Sequence, residues 1–202
     1  MKKLKLVFMG TPEFSVPSLS ALALTHEILA VYTQPDKPVG RGLELTASPV
    51  KKKALELGLP VFQPEKLTQP SEYEKLSALK PDAIVVVAYG QILKKNILDL
   101  PRLGCINIHS SLLPRWRGAA PIHHAILCGD KVSGVTTMEM VEKLDAGKIY
   151  LKKETPIGVR ETVGELHDRL SQFGAELIGP TLEGLDQGTI QGVPQEEAQV
   201  TY

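Results

Sequence analysis

Residues 83–88, A-I-V-V-V-A, limit what this chain can fold into more than any other stretch. A strand with one wet face alternates apolar and polar residues. An unbroken run with β-branched residues at its centre therefore predicts a parallel strand covered on both faces. Such a strand needs paired neighbours and helices above and below, and the flanking sequence offers them. Residues 4–9 read as a strand that Gly10-Thr11-Pro12 turns into a helix, whose apolar positions Phe14, Leu19, Leu22 and Ala23 fall near helical spacing. A second strand follows at 27–33, then a helix at 50–57 ending at Gly58 and a short strand at 60–62. Residues 71–79 form an amphipathic pattern, with Tyr73, Leu76 and Leu79 on one face, that stops before Pro81.

Strand and helix thus alternate through roughly the first 130 residues, which predicts the α/β class with a doubly wound, mostly parallel sheet. Further on, strands at 132–140 and 148–154 bracket residues 142–147 and give the sheet a mixed edge. Residues 162–185 read as one long helix, with Thr162 as N-cap and Glu165 three residues later. His167 and Asp168 inside that helix read as surface. A strand, a tight Gly turn and a helix also open dinucleotide-binding folds, but Gly10 stands alone and the G-x-G-x-x-G fingerprint is missing. Gly10 is read as a structural turn, and neither NAD nor FAD is assigned.

With 202 residues and 43% hydrophobic composition the chain can bury one large core, and two small domains remain open. Lys plus Arg and Asp plus Glu number 23 each, so no net field draws the protein to nucleic acid or to a membrane; any RNA contact must be local. The two cysteines, Cys105 and Cys128, lack metal-type spacing and read as reduced, structural thiols. The basic start M-K-K-L-K is followed by an apolar run that stops at Gly10 and Pro12, too short for export or for crossing a membrane. A cytoplasmic protein is expected.

The stretch 105–121, C-I-N-I-H-S-S-L-L-P-R-W-R-G-A-A-P, carries the densest chemistry. Its first five residues read as a buried strand, in which Asn107 and His109, two apart, share a face. That strand end is where ligands bind in open α/β sheets. From the residues alone, the pair reads equally as a satisfied polar cap or as a catalytic amide and imidazole. Pro121 opens a helix over 121–127. His123 and His124 on it do not share a face and have no third partner at a useful spacing, so no metal is assigned. Ser110 and Ser111 lack a nucleophile elbow. Residues 35–49, interrupted by three prolines and two glycines, read as an irregular loop, either functional or simply a mobile surface.

N-I-H followed by S-L-L-P and R-W-R-G-A-A-P-I, together with L-D-A-G at 144–147, closely resembles the signature of the folate-dependent formyltransferases. The resemblance runs from Gly10 almost to Tyr202. Within that family the chain is most similar to the members that formylate methionyl-tRNA. Q-P-D-K-P-V-G-R-G looks like the insertion with which those members grip the acceptor end of tRNA, and small-substrate members lack it.

The resemblance implies a Rossmann-like formyltransferase fold with Asn107, His109 and Asp145 as catalytic residues. It implies folate contacts at Ser111, Leu112, Leu113 and Pro114 and at Gln91, Ile92 and Leu93, and tRNA contacts at Lys37, Arg41, Arg115 and Arg117. The formyl donor would be 10-formyltetrahydrofolate, with no metal, and the acceptor initiator methionyl-tRNA. It further implies a monomer whose catalytic domain spans 1–185, with 186–202 a linker toward a smaller C-terminal β-barrel. The chain departs from the family at Leu43-Glu44, where basic residues are common; Lys51 to Lys53 either supply the missing charge or form a solvated face. Arg115, Trp116 and Arg117 read either as RNA contacts or as residues that fix their own loop.

Formyl transfer to an amine needs a donor to the oxyanion of a tetrahedral intermediate and a path for the amine's proton. Asn107 can donate amide N–H groups, His109 can carry the proton, and Asp145, in a turn held open by Gly147, can orient the imidazole. Two rivals stand beside this reading. One is a formyltransferase for a small amine on the same core, which the 35–49 loop argues against. The other is a tRNA- or folate-binding module without chemistry, which the presence of all three polar residues argues against.

Overall fold

The structure, a computed structural model, describes residues 3–39 and 44–202. Two compact units make up the chain, Met1–Cys105 and Ile106–Tyr202.

In the first unit β1 (Lys5–Gly10), β2 (Glu27–Tyr32), β5 (Val61–Phe62) and β6 (Ala83–Val87) form parallel pairs in the order β5-β2-β1-β6. Every residue of β6 is buried, as its unbroken apolar run requires. α1 (Val16–Thr25), α2 (Pro49–Glu56), α3 (Pro70–Leu79) and α4 (Lys95–Leu98) fall between and after the strands. Ser48 caps α2 by accepting the Lys51 backbone N–H at 3.0 Å. At the carboxyl ends of the strands, the Tyr89 carbonyl accepts from Thr11 Oγ1 at 3.0 Å and Gln34 Nε2 at 3.1 Å, so side chains following β1 and β2 hold the turn after β6.

Two expectations change here. Residues 35–49 are not irregular throughout, because β3 (Lys37–Val39) and β4 (Glu44–Thr46) pair as a short antiparallel ribbon. Both strands of a two-stranded ribbon are edges, where Pro38 costs no ladder bond. On α3 the buried face is Glu72 and Leu76 rather than Tyr73, which is exposed. Apolarity misled because Glu72 is buried while its charge is met at 2.6 Å by Lys75, whose own side chain stays in solvent.

The second unit is an antiparallel set: β7 (Cys105–His109) pairs with β8 (Val132–Glu139), which pairs with β9 (Ile149–Pro156). α5 (Pro121–Leu127) lies between β7 and β8 with the expected boundaries. α6 (Val163–Gln187) starts in a complete capping box of Thr162 and Glu165. It buries Leu166, Leu170, Gly174, Ile178 and Leu182 at helical spacing, and Thr181 Oγ1 meets Thr137 Oγ1 of β8 at 2.8 Å.

After α6 the chain turns back. A Cβ on Gly184 would overlap the Ile190 side chain, so only glycine lets the returning segment lie against the helix. Val193 then exchanges both backbone bonds with Ile149 at 2.8 Å. Residues 188–202 thus pack on the second unit along the edge of β9 and onward to the loop at 114–118. Among the described residues no helix is long and apolar enough to cross a membrane.

Candidate active site

Strand spacing brings Asn107 and His109 to one face of β7, and the turn between β8 and β9 brings Asp145 to them. Asp145 Oδ2 lies 3.7 Å from His109 Nδ1, and Oδ1 lies 3.5 Å from Asn107 Nδ2. Both separations are long for hydrogen bonds, so the three groups are gathered without being locked to one another. The second N–H of Asn107 has no partner among the described residues. What fixes the carboxylate is the Gly118 backbone N–H, which donates to Asp145 Oδ2 at 2.8 Å. Asp145 is left-handed (φ 46°), a conformation its short polar side chain tolerates. A Cβ at Gly147 would overlap the Glu139 carbonyl oxygen, so the turn can close only on glycine.

The other support is the loop after β7. The His109 ring is buried, and its Nε2 lies 2.8 Å from the Trp116 carbonyl oxygen. A carbonyl only accepts, so Nε2 carries a proton and Nδ1 is the nitrogen turned to Asp145. Trp116 is itself left-handed (φ 59°), strained for so bulky a residue. Its surroundings hold it. The indole Nε1–H donates to Asp130 at 2.8 Å, His124 stacks on the ring at 5.2 Å, and the Arg115 guanidinium covers it at 4.3 Å. Arg115 also grips Asp130 with two bonds of 2.6 and 2.8 Å, which holds the Asp130 carboxyl below its usual range.

The formyl transferase family model matches residues 4–182. The chain belongs to the formyl transferase family. It is 55% identical over 200 residues to methionyl-tRNA formyltransferase of Methylococcus capsulatus, across 98% of this chain and 65% of that protein. It is 52% identical over 198 residues to that of Listeria monocytogenes, across 98% of this chain and 64% of that protein. The chain therefore spans less than two thirds of the length of these curated relatives. Among solved structures, glycinamide ribonucleotide transformylase 1 from Symbiobacterium toebii superposes with a TM-score of 0.78 at 17% identity, over 95% of this chain and 94% of that one. An N-formyltransferase from Helicobacter canadensis, crystallised with folinic acid and dTDP-3-aminofucose, gives 0.75 at 21%, over 98% and 70%. At such identities the likeness shows the fold, which is the Rossmann-like formyltransferase fold expected.

The remaining expected site residues divide sharply. In the loop 111–114, Ser111 and Leu113 are buried and turned inward. The Ser111 hydroxyl donates to the Arg115 carbonyl at 2.6 Å, and Leu113 packs with Met138 and Ile149. Leu112 and Pro114 are half-buried, so they and the backbone are what this loop can offer a ligand. In the first unit Gln91 spends its side chain on Leu67 N (2.7 Å) and the Pro64 carbonyl (2.9 Å), Leu93 is core, and Ile92 is 80% exposed.

Of the basic residues, Lys37 is exposed on β3 and Arg115 keeps 45% of its side chain exposed. Arg41 lies outside the described residues. Arg117 corrects its expectation as an RNA contact. Its side chain is fully buried and donates to Gln195 Oε1 and Glu197 Oε1, each at 3.0 Å, so it fixes its own loop. Lys51 pairs with Asp36 at 2.6 Å and Lys53 with Glu56 at 2.5 Å, which spends much of the charge they could lend to a ligand.

Gly118, the Trp116 carbonyl, Asp130 and Gln195 are site supports that sequence reasoning missed. Two of them act through backbone atoms, which leave no mark on residue type. The other two meet the site only through long-range folding.

Proposed function

We propose that this chain carries the active site of an enzyme that transfers a formyl group from 10-formyltetrahydrofolate to the free amino group of methionyl initiator tRNA, for translation initiation. The observation that carries the chemistry is the gathering of Asn107 and His109 at the Asp145 carboxylate. The identity of 55% to a methionyl-tRNA formyltransferase, against 17–21% to the glycinamide ribonucleotide and sugar enzymes, favours the tRNA acceptor.

An amide donor, an imidazole and a carboxylate suit an acyl group attacked by an amine. When bound, 10-formyltetrahydrofolate supplies an electrophilic formyl carbon. The free N–H of Asn107 donates to oxygen as negative charge develops there. With Nε2–H committed to Trp116, Nδ1 of His109 is the atom that can accept the amine's proton and return it to the folate nitrogen as the bond between that nitrogen and the formyl carbon breaks. Asp145, 3.7 Å away, favours the imidazolium so formed, and burial of the ring keeps water from weakening that attraction.

Ser111, Leu112, Leu113 and Pro114 of the second unit, and Gln91, Ile92 and Leu93 of the first, are assigned to the folate. Lys37, Arg41 and Arg115 are assigned to tRNA. On this reading the protein is a cytoplasmic monomer whose catalytic part takes in the returning segment as well as 1–185, because residues 195–201 bind the loops that carry the site. The free thiols of Cys105 and Cys128 support a reducing compartment. Burial pushes the Cys105 thiol up to about 12, which makes it inert.

The test offers the chain labelled 10-formyltetrahydrofolate with methionyl-tRNA, glycinamide ribonucleotide and a nucleotide-linked aminosugar in competition. Label is expected on methionyl-tRNA. Label on a small amine would replace the acceptor, and folate binding with no transfer to any amine would leave a binding module.

A further inference from the structure

We propose that Gln195, in the segment that returns after α6, is a positioning residue for Asp145. The inference rests on the catalytic role given to Asp145 above.

A left-handed residue in a tight turn leaves backbone carbonyls turned away from any ladder, and here those of Asp145 and Gly147 project to the same side. Gln195 Nε2 lies 2.8 Å from each. One amide nitrogen thus spends both of its N–H groups on two carbonyls that bracket Ala146, clamping the turn that carries the Asp145 side chain. The remaining atom is used as well, because Oε1 accepts from Arg117 Nε at 3.0 Å. Nothing but an amide fits this position. A glutamate would set an acceptor against two acceptors, and an asparagine, one methylene shorter, reaches one carbonyl at best.

The clamp joins the two loops that build the site. Arg117 belongs to the loop that gives the Gly118 N–H to Asp145 and the Trp116 carbonyl to His109. The same returning segment holds that loop by its backbone. Trp116 N donates to Thr201 Oγ1 at 2.9 Å, Arg117 N to the Thr201 carbonyl at 2.9 Å, and Thr201 N to the Pro114 carbonyl at 3.3 Å. Residues 195–201 therefore hold the two loops that set the distance between the Asp145 carboxylate and the His109 imidazole, although none of them hydrogen-bonds to either side chain. Their sequence reads only as a polar tail.

Removing the clamp should let the turn relax and weaken the bond from Gly118, so the chemical step slows while donor and acceptor still bind. The test is a double-mutant cycle of Gln195→Met and Asp145→Asn, read as kcat and KM with whichever amine takes up label in the transfer assay. Gln195→Met is expected to lower kcat about 10- to 100-fold with KM for the folate within about twofold. It should add little to the loss already caused by Asp145→Asn, because its effect passes through that carboxylate. A merely structural residue would cost the same factor in both backgrounds, and that additivity would overturn the inference. So would an unchanged kcat, or a loss confined to KM. Gln195→Asn carries the same cycle if the methionine variant does not fold, with an intermediate loss expected. Full activity of Asp145→Asn alone would instead remove the catalytic role of Asp145, a failure distinct from that of the clamp.

Discussion

His109 gives its Nε2 proton to the backbone carbonyl of Trp116 across 2.8 Å, and that bond decides which imidazole nitrogen faces Asp145. The acceptor is a peptide oxygen and cannot take a proton in return, so the tautomer is set by the fold. The left-handed backbone at Trp116 aims this carbonyl, which gives the strain at that residue a use.

Asn107 is the only one of the three polar groups with an amide N–H to spare. Replacing it by alanine should lower kcat by about 10²–10³, the usual cost of one oxyanion donor, while folate affinity stays near its starting value. Single-turnover transfer beside equilibrium titration of the folate measures both. Near-normal turnover in a folded variant would take the oxyanion away from Asn107.

Asp145→Asn keeps an acceptor for the Gly118 N–H and removes only the charge. Transfer should slow, because the charge that faces the proton-carrying ring is gone. Single-turnover transfer measures it, and an unchanged rate in the folded variant would make Asp145 a spacer.

Where a pattern is local, the sequence was enough to read it. The valine run of β6, the capping box of α6 and the proline start of α5 each set their element through neighbouring residues. Asn107 and His109 could be paired because strand geometry turns a spacing of two into one face. Reading failed where a charge is buried by distant partners. Arg117 and Glu72 look like surface residues, and their burial depends on Gln195 and Glu197 in one case and on the seating of α3 in the other. The clamp on Asp145 was out of reach for the same reason, since its two ends lie 50 residues apart.

His26 links stability to pH in the first unit. It is buried after α1 and accepts the Leu4 N–H on Nδ1 at 3.4 Å, a role that needs the neutral ring. Burial lowers its affinity for a proton below the ordinary imidazole value of about 6.5. Between that value and its folded one, the unfolded chain binds more protons than the folded chain, so stability falls as pH falls through this window. Urea melts at pH 7.5 and 5.5 should show the loss. His26→Asn, which keeps an acceptor but cannot titrate there, should make the dependence shallower, and parallel curves for the two proteins would assign it to other groups.

Arg115 and Arg117, two residues apart, should behave in opposite ways toward tRNA. Exposed cations on nucleic acid release counterions, so each phosphate contact steepens the fall of affinity with salt. Arg115 is partly exposed, and although Asp130 occupies two of its N–H groups, others remain. Arg115→Ala should weaken tRNA binding and reduce the slope of log K against log salt by about 1. Arg117 is sealed inside its loop, where a phosphate cannot reach it. Arg117→Ala should lower the melting temperature and the rate of transfer, because Gln195 and the loop that orients His109 lose their anchor, yet leave the salt slope as it was. Titrations of tRNA at several salt concentrations, with a thermal melt of each variant, separate the two. A reduced slope for Arg117→Ala would mean that the loop opens on binding RNA and exposes the arginine, and the division between a buried brace and an exposed contact would fail.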